Sequence, residues 1–266
     1  MNTIVFALRS LMKSPGFTLV AVLALALGIG ANSAIFSMIE AIFLRPLPYA
    51  NPGEIVQLQS LLPDRGLAQA PMSWPRMLAV RDRQQVFSEM SVSTPNAFIV
   101  TGSGDPEQLQ GQIVSQNFFP LLGLKPIIGR NFLPEEDRPG GPPVVLLSYG
   151  YWQKHFAGRP DVVGQPLTID GKPHTVIGVL PNDATAFPLN QIAVFTTRPF
   201  ESPGLERKQI DDGGLFYNVL ARLKPGVDLD EARTAMNVIA TGYAQANPSH
   251  VDVGSKLDVG YLQDNL

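Results

Sequence analysis

Three short patches of this 266-residue sequence gather side chains of the kinds that do chemistry. Glu135-Glu136-Asp137 is the densest acidic cluster, with His155 further along the chain. Paired carboxylates can act as acid and base in a hydrolase, one protonating the leaving group while the other activates water. Flanked by Pro134 and Pro139, the same residues also read as a solvated turn or a helix start. Ser148, in LSYGY, lacks the glycine two residues earlier that a nucleophile elbow requires, and reads as a helix cap. Gly171-Lys172 has neither the earlier glycine nor the following Ser or Thr of a phosphate-binding loop, and reads as a hairpin turn. The aromatics Phe118, Phe119, Tyr151, Trp152 and Phe156 could line a cleft, although core packing accounts for them equally simply. The chain has no cysteine, which excludes disulfides and thiolate chemistry. His155, His174 and His250 are too scattered for a metal-ligand pattern. A net charge of -3 supplies no electrostatic footprint for nucleic acid. No catalytic, cofactor-binding or metal-ligating residue is therefore assigned.

The elements around these patches say more. Between Lys13 and Glu40 lie 26 uncharged residues. As an α-helix, at ~1.5 Å per residue, they extend roughly 39 Å. A hydrocarbon core of ~30 Å needs only about 20 residues. Residues 17–44 are thus expected to be a transmembrane helix in contact with membrane lipid. The rival reading is a cleaved secretory signal, with Lys13 closing its basic region and Ala31-Asn32-Ser33 offering a cleavage site. That reading would leave an exported binding module. The apolar run continues through Ala34-Ile35-Phe36, Ile39 and Ala41-Ile42-Phe43, which favours retention. Arg9 and Lys13 precede the span and Arg45 follows it, so the charge bias puts the N-terminus in the cytoplasm and residues 45–266 outside. Residues 1–16 read as an amphipathic segment at the cytoplasmic face, with Ile4, Leu8, Leu11 and Met12 on one side. Inside the span, Ala24 and Gly28, then Ala26 and Gly30, sit four apart, and Ser33 and Ser37 repeat the spacing. Small residues at this interval let a second helix approach, and the Asn32 amide prefers protein to lipid.

Beyond a proline-rich linker at residues 45–53, the pattern is that of an α+β domain with a mixed sheet. Residues 54–60 read as a strand and residues 73–90 as a helix with Trp74, Met77, Leu78, Phe87 and Met90 on its apolar side. Residues 97–101 and 109–114 pair as a hairpin around Gly102-Ser103-Gly104-Asp105. A short helix over residues 115–122 ends at Gly123, and residues 144–147 form a strand before a helix that stops at Gly158. Asp170-Gly171, between two alternating runs, signals a tight hairpin. Residues 182–214 read as loop-rich, and residues 215–223 as a strand turned by Lys224-Pro225-Gly226. Asp228 and Glu231 form a capping box for a helix whose face is Leu229, Ala232, Met236, Ile239 and Tyr243.

With these residues in view, the chain resembles the N-terminal part of an ABC-transporter permease with a MacB-like periplasmic core domain, of the large duplicated type found in acidobacteria. LRSLMKSPGFTLVAVLALALGIGANSAIFS is similar to that family's first membrane helix and its approach. QNFFPLLGLKPIIGRNFLPEED, VVLLSYGYWQKHFAG and VVGQPLTIDGKPHTVIGVLP are similar to its core-domain blocks. The resemblance implies a membrane-anchored periplasmic domain whose core, residues 54–250, has a porter-like lobe and a β-rich inserted lobe near residues 160–212; with one apolar segment, this chain is expected to cross the membrane once. The resemblance further implies a cognate ATPase subunit, a second permease copy or half, and room for a periplasmic partner. Residues 251–266 are expected to approach a second membrane helix that a truncated chain would lack.

Overall fold

The computed structural model describes residues 15–39, 49–63, 66–101, 105–182, 189 and 191–265. Two compact units emerge, residues 1–46 and residues 47–266. The amphipathic reading of residues 1–13, the linker at Arg45-Pro46-Leu47-Pro48 and the turn glycines Gly102 and Gly104 fall outside the described residues.

The first unit contains α1, Pro15–Ile39. Proline suits a helix's first turn, where its missing N–H has no intrahelical acceptor to find. No acidic residue stands in the first turn and no basic residue in the last.

The second unit is built on β1 (Ile55–Leu62), β2 (Leu67–Ala70), β3 (Met72–Ser73), α2 (Trp74–Arg83), β4 (Phe87–Thr101), β5 (Glu107–Val114) and α3 (Phe118–Leu122). It continues through β6 (Ile128–Gly129), β7 (Val144–Leu147), α4 (Tyr149–Phe156), β8 (Pro166–Ile169), β9 (Lys172–Val179) and β10 (Val194–Thr197). The chain then forms α5 (Arg207–Asp211), β11 (Leu215–Leu223), α6 (Leu229–Ala246) and β12 (Lys256–Tyr261).

Strands β12, β1, β11 and β4 lie side by side in that order, each antiparallel to its neighbour. Helix α2 connects the first and second of these in sequence, and α6 the third and fourth. This is the ferredoxin-like βαββαβ arrangement, its strands in spatial order four, one, three, two. Met77 and Val80 of α2 and Ala232 and Met236 of α6 are buried against Val56, Leu58, Val219, Ala221 and Val259 of the sheet.

Everything between β4 and β11 is an insertion in that frame, and it closes on itself. β4 pairs with β5, β5 with β10, β10 with β7, β7 with β9, β9 with β8, and β8 with β4 again. The result is a six-stranded ring filled by Phe98, Val100, Leu109, Ile113, Val145, Leu147, Leu167, Ile169, Val176 and Val194. Small barrels are filled this way, by inward side chains on alternating positions. The interior is crowded enough that a Cβ on Gly111 would stand 2.2 Å from the Phe98 ring. The 160–212 range, expected as the inserted lobe, supplies β8, β9 and β10 to the ring, while β4, β5 and β7 come from before it.

The Asp170-Gly171 hairpin forms as expected, with φ of 49° and 74° at the two turn residues. Both values are what a type I′ turn demands. The turn also closes the ring. Asp170 Oδ1 accepts from the Ile99 amide at 2.8 Å, and the Asp170 amide donates to the Ile99 carbonyl at 2.8 Å.

Three expectations are corrected. The helix over residues 73–90 stops at Arg83, and Phe87 and Met90 lie in β4. The Gln84 side chain accepts from the Phe87 amide at 2.7 Å, and pairing with β11 then competes successfully for the backbone beyond it. Residues 182–214 contain β10, buried along its whole length between β5 and β7, and the short helix α5. Residues 256–261 form β12, the edge strand of the ferredoxin-like sheet, so the core domain runs past residue 250.

A buried ionic cluster locks β12's approach to α2. Ser73, which caps α2 by accepting from the Arg76 amide at 3.2 Å, donates its hydroxyl to Asp252. Arg76 and Asp252 are both fully buried, with Arg76 Nε 3.6 Å from Asp252 Oδ2. The guanidinium also donates to Ser255 and lies 5.2 Å from the Tyr243 ring centroid. Burial pulls the Arg76 pKa down, and the charge of Asp252 pulls it back. Burial pushes the Tyr243 phenol up to about 12, so it stays protonated and donates to Asp252 Oδ1 at 3.2 Å. Asp252→Ala leaves the arginine charge without its partner and is expected to cost about 3–5 kcal/mol in urea unfolding. The paired change Arg76→Met with Asp252→Leu is expected to restore most of that loss, because no unpaired charge remains buried.

Candidate functional site

Helix α1 is the first candidate. Its Pro15–Phe36 stretch, 22 residues of mean hydropathy 2.2 with none of its most apolar window buried, is long and apolar enough to cross a membrane. Ala24, Ala26, Gly28, Gly30, Asn32 and Ser33 are exposed on it, and Ser37 lies on the same helix. At 3.6 residues per turn these positions form two strips roughly 170° apart. One holds Ala24, Gly28 and Asn32, and the other Ala26, Gly30, Ser33 and Ser37. A Cβ on Gly28 or Gly30 would meet nothing within 4 Å.

The acidic loop is structural in its contacts. Glu136 is buried, and its carboxylate takes a two-pronged contact from Arg130 at 3.0 and 2.6 Å, plus the Leu133 amide at 2.7 Å. Asp137 accepts from the Gln116 amide at 3.0 Å and, through its other oxygen, from the Thr197 hydroxyl and Arg198 amide, each at 2.9 Å. Burial raises its pKa, and those three donors work against the rise. The loop thereby clips the segment before α3 to the end of β10. His155 stands elsewhere, stacked on Tyr151 with centroids 4.3 Å apart and 3.3 Å from Glu107. The arrangement does not bring the histidine to the acids. Ser148 caps α4, accepting from the Tyr151 amide at 3.3 Å. Asp228 caps α6, accepting from the Glu231 amide at 2.8 Å.

The five singled-out aromatics divide between two cores. Phe118 and Phe119 lie in the core beneath α3, where Phe119 meets Phe195 edge to face at 5.1 Å. Tyr151, Trp152 and Phe156 close one end of the ring, with the Trp152 indole donating to the Arg159 carbonyl at 2.8 Å.

The other end of the ring is open, and sequence reasoning did not find it. A cavity of about 200 Å³ is lined there by Phe98, Ile113, Val144, Ile169, Thr196 and Arg198, among others. His174 donates from Nδ1 to the Lys172 carbonyl at 3.0 Å in its neutral form. Burial holds its pKa below the ordinary value, against the pull of that carbonyl, and the charge of Arg198 lowers it further. Arg198 has φ of 71°, in the left-handed region, and its guanidinium pairs with Glu201 at 3.0 Å. Only the Asp-Gly signal marked this place in the sequence. The remaining residues converge through strands distant from one another in the chain. Among the described residues, no three His, Asp or Glu side chains gather as a metal group.

Comparison with known proteins gives this geometry a context. The sequence profile of the MacB-like periplasmic core domain matches residues 18–239. The pyoverdine export ATP-binding/permease protein PvdT of Pseudomonas syringae pv. tomato is 25% identical over 126 residues, 47% of this chain and 19% of that protein. The chain thus spans about a fifth of that relative's length. The periplasmic region of MacB from Actinobacillus actinomycetemcomitans superposes with a TM-score of 0.56 at 12% identity, covering 80% of this chain and 90% of that one. A permease domain from Porphyromonas gingivalis gives 0.56 at 15% identity, covering 80% and 93%. The extracellular domain of the ABC-type transporter YknZ from Gram-positive bacteria gives 0.54 at 15% identity, covering 77% and 99%.

The acidic loop's role is open to a direct test. Asp137→Ala would strand three donors and is expected to lower stability by about 2–3 kcal/mol in urea unfolding followed by tryptophan fluorescence. Glu135→Gln, on an exposed side chain, is expected to stay within about 0.5 kcal/mol.

Proposed function

Because the chain belongs to the family of MacB-like periplasmic core domains, we propose that it is the membrane-anchored periplasmic part of an ABC-type permease. Helix α1 crosses the inner membrane once, with its N-terminus in the cytoplasm and residues 45–266 in the periplasm. The domain moves in response to ATP hydrolysis by a partner ATPase and serves export or mechanical transmission. The observation that supports this reading most is the continuity of the match. It begins at residue 18, inside α1, and ends at residue 239, inside α6, so one family pattern includes both the apolar helix and the folded domain.

The relative named for pyoverdine export joins ATP binding and permease functions in one protein. Residues 1–266 contain no phosphate-binding loop of the G-x-x-x-x-G-K-[ST] kind. The hydrolysing unit is therefore a separate part, fused or free, and α1 is the element through which its motion reaches the domain. The two small-residue strips of α1 are where neighbouring membrane helices pack, one strip per neighbour, as close approach of backbones requires small side chains. A second permease copy or half supplies such helices, lipid covers the rest of α1, and a periplasmic partner docks on the domain.

A chain without cysteine makes the topology simple to test. Val238→Cys, on an exposed position of α6, is expected to react with a membrane-impermeant maleimide in intact spheroplasts. Asn2→Cys is expected to react only after permeabilisation. The opposite pattern reverses the orientation, and a membrane-free chain beginning near Ala34 replaces the anchor with a cleaved signal. Gly28→Leu and Gly30→Leu are expected to weaken co-purification with partner helices from detergent extracts by about tenfold, the equivalent of ~1.4 kcal/mol of helix packing.

A further inference from the structure

The open mouth of the strand ring has the composition of a small-molecule site. Each of the six ring strands contributes to it: Phe98 from β4, Ile113 from β5, Thr196 from β10, Val144 from β7, His174 from β9 and Ile169 from β8. Its floor is apolar, with Phe98, Ile113, Val144 and Ile169 all nearly inaccessible beneath it. Its rim has both signs of charge, from Lys172 and Arg198 on one hand and Asp170 and Glu201 on the other.

The valences of that rim are incompletely used. Arg198 Nη1 is engaged with Glu201, but its Nε is buried and has no hydrogen-bond partner among the described residues. Arg198 is also fixed in the left-handed region, as Asp170 is, with its amide bound to Asp137. Lys172 has no carboxylate within ion-pairing distance among the described residues. On the acidic side, Asp170 Oδ1 holds the Ile99 amide and Glu201 Oε2 holds Arg198, which leaves the second oxygen of each available.

Size narrows the ligand. An apolar cavity of about 150 Å³ accommodates a benzene ring. The volume here is about 200 Å³, enough for one ring or branched aliphatic group with its polar head at the open rim. It is too small for a drug-sized molecule, whose pockets run to about 300–1,000 Å³. A simple anion or cation would satisfy only half of a rim that presents two charges of each sign. We propose that the mouth of the ring binds an apolar α-amino acid as its zwitterion, the side chain on the Phe98–Ile113–Ile169 floor. Its carboxylate meets the Arg198 guanidinium and Lys172, and its ammonium meets Asp170 and Glu201.

The test uses the full chain in lipid nanodiscs, with 4-fluorophenylalanine as the probe read by fluorine NMR and empty nanodiscs as the blank. Saturable broadening by the amino acid is expected. Its amide, which lacks the carboxylate, and its N-acetyl derivative, which lacks the ammonium, are each expected to bind at least about tenfold more weakly, through loss of the charge-assisted contacts of that group. Lys172→Gln and Arg198→Gln are expected to weaken the amino acid by a similar factor with the urea midpoint of Lys172→Gln unchanged. Lys172 is exposed, so that variant and the derivative series decide the matter even where Arg198→Gln fails to fold. Absence of saturable binding up to about 10 mM, weaker than any affinity worth ~3 kcal/mol, overturns the proposal. Binding of the amide or of the N-acetyl derivative as tight as that of the amino acid itself overturns it too, as does undiminished binding by Lys172→Gln.

Discussion

Strand β4 runs unbroken for 15 residues, and the rest of the core domain is organised by what its two halves pair with. Its first half, from Phe87 to Ser93, lies against β11 and completes the ferredoxin-like sheet. Its second half, from Ser93 to Val100, lies against β5 and opens the ring. At Val100 and Thr101 it is met again by β8, which shuts the ring. A single run of hydrogen-bonded backbone therefore belongs to both substructures, and neither can rotate freely about it. A helix or loop at that junction would allow a hinge; a continuous strand, with its ladder satisfied on both halves, resists one.

The second tie between the substructures is apolar. Helix α3 and the segment after it bring Phe118, Phe119, Leu121, Leu122 and Phe132 into one cluster with Ile55 and Leu220 of the ferredoxin-like sheet and with Leu146, Ile177 and Phe195 of the ring. The Asp137 clip holds the start of that segment to the end of β10. The Arg76–Asp252 cluster does the corresponding work on the other face, joining α2 to the chain entering β12. The domain is thus braced by one continuous strand, one aromatic wedge and one buried ion pair.

The legibility of the candidate sites in the sequence depends on the range of the interactions involved. Local signals were readable: the serine and aspartate caps, the Asp-Gly turn and the 3-4-3-4 face of α6 all act within four residues of themselves. The acidic loop shows the limit of that method. Its composition suggested either chemistry or a turn, and only the positions of Gln116, Thr197, Arg130 and Arg198 identify the acids as acceptors of structural bonds. The ring mouth had no sequence signature beyond its hairpin, because its lining comes from six strands and the turns beside them, spread over residues 98–203.

By itself, the sequence determined the apolar helix and the α+β character of the domain after it, because hydrophobic length and periodicity are local properties of a chain. It also contained the motifs by which the MacB-like family is recognised. Tertiary structure decided where the helix after Ser73 stops, that Val194–Thr197 is a central strand, and that residues 256–261 close a sheet begun at residue 55. A four-residue strand buried on both faces has no alternation to read, and an edge strand draws its order from a partner two hundred residues away. The closed ring belongs wholly to that second category: its final seam is a few hydrogen bonds between Asp170 and Ile99 and between β8 and β4, interactions that exist only once the chain has folded.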